Sequence, residues 1–122
     1  MPYEDYVLKH FGEPYHKGPM PNDSIEVHQG CAESVVCGDM VIIRARIKDG
    51  VITEVWWQGD GCCFSQAAAS MLAEFTRGKT VDDMRDFNEH EMFKLFRAEC
   101  VDARRGCVLV ALEALQNLLE NV

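Results

Sequence analysis

From Met40 to Ile47 the chain alternates, with Val41, Ile43, Ala45 and Ile47 on one side and Met40, Ile42, Arg44 and Arg46 on the other. A period of two is that of a strand with one buried face. Asp49-Gly50 supplies the residues of a tight turn, and Val51 to Trp57 returns, so the pattern predicts a β-hairpin. From Phe64 the period lengthens to that of a helix: Phe64, Ala68, Met71, Leu72 and Phe75 share one face, and Gly78 ends the run. A second long apolar stripe runs from Arg104 to Leu119, where Val108, Ala111, Leu112, Leu115, Leu118 and Leu119 predict a well-buried helix.

Shorter signals fill the remainder. Tyr3, Tyr6, Val7 and Phe11 predict an amphipathic helix over residues 3–11, docked by that face and stopped by Gly12 and Pro14. His16 to Asp23 is rich in turn residues, Ile25 and Val27 read as a brief strand, and Gly30 to Val36 reads as loop. Val81 to Phe87 and Glu89 to Arg97 read as short helical pieces, and Trp56-Trp57 places one ring on each face of the sheet. Strands first and helices afterwards, with antiparallel pairing, give an α+β class: a small antiparallel sheet covered by helices.

The length of 122 residues and 48% apolar content suit one domain with one core. Its expected parts are an N-terminal helical segment (1–12), a loop and first strand (13–36) and a core carrying the candidate site (37–122). A net charge of −8, with no basic tract, argues against nucleic acid and for a basic patch on a partner protein. No run approaches a membrane span, and Met1-Pro2-Tyr3-Glu4-Asp5 has neither a basic nor an apolar leader region, so a cytosolic protein away from membranes is expected.

Compartment changes how the six cysteines are read, because a reducing cytosol favours metal binding or thiol chemistry over disulfides. Three of them border a turn or a helix start. Cys37 enters the hairpin with Gly38 and Asp39, Cys62 directly precedes the first long helix, and Cys107 falls in the first turn predicted for the last one. A helix N-terminus favours the thiolate, so Cys62 and Cys107 are expected to be reactive or ligating. Asp39, two residues after Cys37, lies on the same side of an extended segment and can aim a carboxylate at the same ion. As a turn residue it is expected to contribute little to packing. Three thiolates and a carboxylate make a metal site with one harder, more exchangeable corner.

Cys31, Cys63 and Cys100 are weaker candidates that read as packing residues. His10, His16, His28 and His90 sit in polar contexts and read as surface residues. No C-x-x-C pair and no nucleotide-binding or zinc-peptidase motif is present.

Several spaced motifs in order resemble the iron-sulfur assembly scaffold family of IscU, SufU and the N-terminal domain of NifU. They are His16-Lys17-Gly18, Cys37-Gly38-Asp39, the Asp-Gly hairpin, Gly59-x-Gly61-Cys62 before a helix with Ala69-Ser70, Gly78-Lys79, and Arg104-x-x-Cys107 before Ala111-Leu112. The resemblance implies that Cys37, Cys62 and Cys107 hold a nascent cluster, 2Fe-2S in type, or zinc, with Asp39 as the exchangeable fourth group. It also implies a cysteine desulfurase as sulfur donor, Cys107 as principal sulfur acceptor, and recipient apo iron-sulfur proteins.

On this reading the protein is a non-enzymatic scaffold; the alternative is a SufU-like zinc-dependent sulfurtransferase. The spacing of 25 residues between Cys37 and Cys62 is similar to the SufU branch, and the 45 residues between Cys62 and Cys107 to the compact IscU arrangement. Gly106 stands where the family has histidine or lysine, and Val35-Val36 lies where it has Asn-Pro. Ala103-Arg104-Arg105-Gly106 replaces the chaperone-docking motif of IscU, so a dedicated Hsp70 partner is not expected. A plain structural-zinc domain is a third class, disfavoured because closed structural sites use four Cys or His ligands.

Overall fold

A computed structural model describes residues 2–21, 27–34, 38–96, 102–120 and 122, the side chains of 2–6 and 102–104 excepted. The elements are α1 (Pro2–Gly12), β1 (Val27–Glu33), β2 (Met40–Lys48), β3 (Val51–Asp60), α2 (Cys63–Thr76), α3 (Val81–Arg85), α4 (Glu89–Phe96) and α5 (Asp102–Glu120). The three strands form an antiparallel meander in the order β1-β2-β3, so the α+β class holds.

The hairpin forms where the alternation places it. Both central turn residues have positive φ, 53° at Asp49 and 77° at Gly50, as a tight two-residue connection requires. Val41, Ile43 and Ala45 of β2, with Ile52, Val55 and Trp57 of β3, are buried beneath α2 and α5. On the other face Arg44 ties the three strands together, donating to Gln29 Oε1 at 2.9 Å and Gln58 Oε1 at 2.6 Å. Nearby, the Trp56 indole N–H donates to Glu54 at 2.7 Å and, with Arg46 beside it, holds that carboxyl below its usual range.

α2 is buried on nearly all sides, at Ser65, Ala67 through Ala73 and Thr76. Its run of small side chains lets α1, β3, α4 and α5 approach it closely. All six stripe residues predicted for α5 are buried, and Thr80 and Asn88 cap α3 and α4 by accepting from the amides of Asp83 and Glu91, each at 3.0 Å. α3 stops at Arg85, short of the Phe87 expected, and Arg97 lies outside the described residues.

Two local expectations are corrected. Gly30 to Glu33 is strand, not loop, paired residue by residue with β2 from Gly30↔Ile43 to Glu33↔Met40. The segment lacks apolar alternation because α5 lies directly over it. A Cβ on Gly30 would collide with the Ala114 carbonyl oxygen and come within 2.7 Å of Leu118 Cα, so glycine is there for close approach. Ile25, Val35 and Val36 lie outside the described residues.

In α1, Phe11 is 43% exposed rather than docked, while Val7 and His10 face the protein. His10 Nδ1 lies 2.8 Å from Ser70 Oγ, which also accepts from the Tyr15 amide at 2.8 Å. The docking stripe therefore contains a hydrogen-bonded histidine that apolar periodicity does not reveal. The expected Tyr3 and Tyr6 contacts lie outside the described side chains.

Gly30→Ala should destabilise the fold by about 1–3 kcal/mol, the usual cost of overpacking against backbone that cannot move. A shift of the urea unfolding midpoint checks it. An unchanged midpoint would contradict the close packing of α5 on β1.

Candidate metal centre

Sheet register assembles the site. Met40, the first residue of β2, pairs with Asp60, the last of β3, which leaves Asp39 opposite Gly61 and next to the start of α2. The Ser34 amide donates to the Asp39 carbonyl at 2.7 Å and the Gly38 amide to the Ser34 carbonyl at 2.8 Å, closing the loop between β1 and β2. Cys37 and Cys100 lie outside the described residues.

Asp39 is not a solvated turn residue. It is 1% exposed, and a buried carboxylate needs hydrogen bonds to offset the loss of water. Its Oδ1 accepts from the Cys62 amide at 2.9 Å, and its Oδ2 lies 3.9 Å from Cys62 Sγ. Cys62 is the N-cap of α2, so this anion sits where unpaired amides and the helix dipole favour negative charge. Expecting Asp39 to matter little for packing is thus corrected: it joins the head of β2 to the head of α2.

Gly61 makes the approach feasible. Its φ of 143° belongs to the region that favours glycine, and a Cβ there would strike the Asp39 carboxylate, with Cγ at 2.7 Å and Ser65 Oγ at 2.8 Å. Ser65, fully buried, donates from Oγ to the Cys62 carbonyl at 2.9 Å. Gln66 donates from Nε2 to the Gly61 carbonyl at 2.9 Å and accepts from Lys17 Nζ at 2.6 Å. In the sequence Gly61 and Lys17 stand in motifs with no role of their own, and nothing adjacent marks Ser65 or Gln66. Only the helical offset of Ser65 and Gln66 from Cys62 could have pointed to them.

Cys107 reaches the centre from α5. Its Sγ, Cys62 Sγ and a carboxylate oxygen of Asp39 all lie within 4.8 Å of one another, the one such ligand group among the described residues. Because α5 starts at Asp102, Cys107 is the sixth helical residue and not part of the first turn. The unpaired amides of a helix start do not extend that far: Cys62 stands at such a start and Cys107 does not. Arg105 is likewise engaged elsewhere, 3.6 Å from Glu89 and stacked over the Phe93 ring. Cys107 is also fully buried, while Cys62 is half-buried.

The other candidates lie apart. Cys31 is exposed on β1 and Cys63 half-buried at the first position of α2; neither joins the ligand group. The histidines are not uniformly surface residues: besides buried His10, His16 stacks on Trp56 at 4.3 Å, with Nδ1 donating to the Val55 carbonyl at 3.0 Å.

Two soft sulfurs and one hard carboxylate, brought together from three separate elements, fit a thiophilic ion or a thiolate-held cluster. Asp39 Oδ2 and Cys62 Sγ, 3.9 Å apart, are close to the ~3.6 Å that an oxygen and a sulfur span on one tetrahedral zinc.

Asp39→Ala should lower the stability of the metal-free protein by about 1–3 kcal/mol, because the Cys62 amide loses its partner in a part-buried site. Asp39→Asn, which keeps an acceptor, should lose less. Thermal unfolding of the two variants side by side checks this, and equal behaviour of Asp39→Ala and wild type would contradict the structural role.

The family model described as the NifU-like N terminal domain matches residues 2–121. Among curated proteins, the chain is 25% identical to an iron-sulfur cluster assembly scaffold protein IscU of Thermotoga maritima, over all of this chain and 95% of that protein. It is 23% identical to the IscU scaffold protein of Escherichia coli K12, over 95% of this chain and 90% of the relative. Among solved structures it resembles the N-terminal part of a NifU-like protein from Brucella abortus, with a TM-score of 0.74, 21% identity and coverage of 97% of this chain and 92% of that one. A SUF-system scaffold protein from Fervidobacterium islandicum has the same fold, with a TM-score of 0.68, 21% identity and 94% of each chain covered. With a match that spans nearly its whole length, the chain belongs to the NifU-like N-terminal domain family, the family of the IscU cluster assembly scaffolds.

Proposed function

We propose that the protein is an iron-sulfur cluster assembly scaffold. It takes sulfur from a cysteine desulfurase, builds a labile cluster, 2Fe-2S in type, on Cys37, Asp39, Cys62 and Cys107, and hands it to recipient apoproteins. The observation that carries the reading is the convergence of Asp39, just before β2, Cys62, the N-cap of α2, and Cys107 of α5 within 4.8 Å. Membership in the family of IscU scaffolds supports it. A carboxylate corner suits cargo that must leave, since oxygen is a harder and more exchangeable ligand for a soft ion than thiolate.

Sulfur arrives by thiol exchange. The Cys107 thiolate attacks the outer sulfur of the desulfurase persulfide, the S–S bond of that persulfide breaks, and the donor cysteine leaves as a thiolate. The result is a persulfide on Cys107, whose outer sulfur becomes cluster sulfide on two-electron reduction by an external electron donor, with the Cys107 thiolate released. Because the thiol is fully buried, the donor gains access only when the surroundings of Cys107 open on docking. No helix among the described residues is long and apolar enough to cross a membrane, and a negative surface suits a basic patch on the donor.

The zinc-dependent sulfurtransferase reading is supported by one specific observation, the 3.9 Å between Asp39 Oδ2 and Cys62 Sγ, which suits ligation of a single ion. In that reading zinc would rest on the same four residues. The resting state would be the single ion, with sulfur passing through Cys107.

Anaerobic purification with iron, zinc and acid-labile sulfide analysis decides between them, sulfide with iron favouring the scaffold and stoichiometric zinc without sulfide the alternative. Ser substitution at Cys37, Cys62 or Cys107 should strip most of the metal or cluster, because a hydroxyl stays protonated near neutral pH. Wild-type content in all three variants would refute the site. With a competent desulfurase, cysteine and pyridoxal phosphate, peptide mass mapping should find the added sulfur on Cys107; no uptake on any cysteine would refute sulfur transfer.

A further inference from the structure

A chain of hydrogen bonds runs from the protein surface into the metal centre. Lys17 Nζ donates to Gln66 Oε1 at 2.6 Å, and Gln66 Nε2 donates to the Gly61 carbonyl at 2.9 Å. That carbonyl shares its peptide with the Cys62 N–H, which donates to Asp39 Oδ1 at 2.9 Å. Lys17 is itself held, its ammonium 5.3 Å above the Trp57 ring and its neighbour Gly18 donating to the Trp57 carbonyl at 2.8 Å. The chain therefore starts at a cation anchored on β3 and ends on a carboxylate facing two thiols. Each link polarises the next, since a peptide whose oxygen accepts a bond has a stronger N–H donor.

We propose that Gln66, oriented by Lys17, is a positioning residue for the metal centre, fixing the Gly61–Cys62 peptide so that Asp39 is held with Oδ2 toward Cys62 Sγ. The inference rests on the metal-site reading above and deepens it. Among the described residues Gln66 makes no hydrogen bond to a candidate ligand atom and acts through the peptide. A tether between the His16–Gly18 loop and α2 would need only the Lys17 contact; positioning also needs the Nε2 donor. Gln66→Glu separates the two roles: it keeps, and strengthens, the partner for Lys17 but replaces the donor to Gly61 with an acceptor.

Cobalt(II) is the probe, because its thiolate charge-transfer and d–d bands report the ligand set and its loss to a chelator can be timed. Gln66→Glu and Gln66→Leu are both expected to release Co(II) roughly three- to tenfold faster than wild type, the scale of one hydrogen bond, with shifted d–d bands. Unfolding midpoints of the metal-free variants should stay near wild type, as for other part-exposed substitutions. Lys17→Met should also speed release, with no further effect in the Gln66→Leu background. Wild-type release by Gln66→Glu, or additive effects of the Lys17 and Gln66 substitutions, would overturn the inference alone. Absence of any thiolate-to-cobalt band in wild type would overturn the metal-site reading and this inference with it.

Discussion

The hydrogen bond from the Cys62 amide to the Asp39 carboxylate is the contact on which the rest of this site depends. It joins the N-cap of a buried helix to the residue just before a central strand, and it occupies one oxygen of a carboxylate that has almost no water around it. Without that donor a buried carboxylate at this position would be expensive. With it, one oxygen is fixed and the other is left beside sulfur. Gly61 is the sequence condition for this contact, since any side chain there would occupy the space of the carboxylate.

The fold exists upstream of that contact. Pairing of Met40 with Asp60 sets Asp39 opposite Gly61, and packing of α5 across Gly30 brings Cys107 over the same end of the sheet. The candidate ligand atoms thus come from a loop, a helix cap and the second turn of another helix. Each is held by a different part of the core, so the group is preorganised. A site of this kind can bind a soft ion through its thiolates and still exchange its carboxylate.

Much of this was legible in the sequence, for identifiable reasons. The alternation over Met40 to Ile47 and the stripe from Val108 to Leu119 report burial directly, and the positions follow. Cys62 could be placed at a helix start because the period changes right after it. What could not be read depends on partners distant in sequence. Gly30 looks like a loop residue until α5 lies over it, and His10 looks solvated until Ser70 meets it. Asp39 has the local signature of a turn, and only the β2–β3 register shows that it is buried. The start of α5 at Asp102 moved Cys107 out of the first turn, which removes the dipole as a reason for its reactivity.

The proposed function requires thiolates and one carboxylate oxygen to share a metal here. X-ray absorption at the zinc edge of the zinc-loaded protein tests it most directly. Shared ligation should give a mixed shell, with sulfur at about 2.3 Å and a single oxygen at about 2.0–2.2 Å, the oxygen lost or replaced by solvent in Asp39→Ala. A shell of sulfur alone, or of nitrogen and oxygen alone, would contradict it.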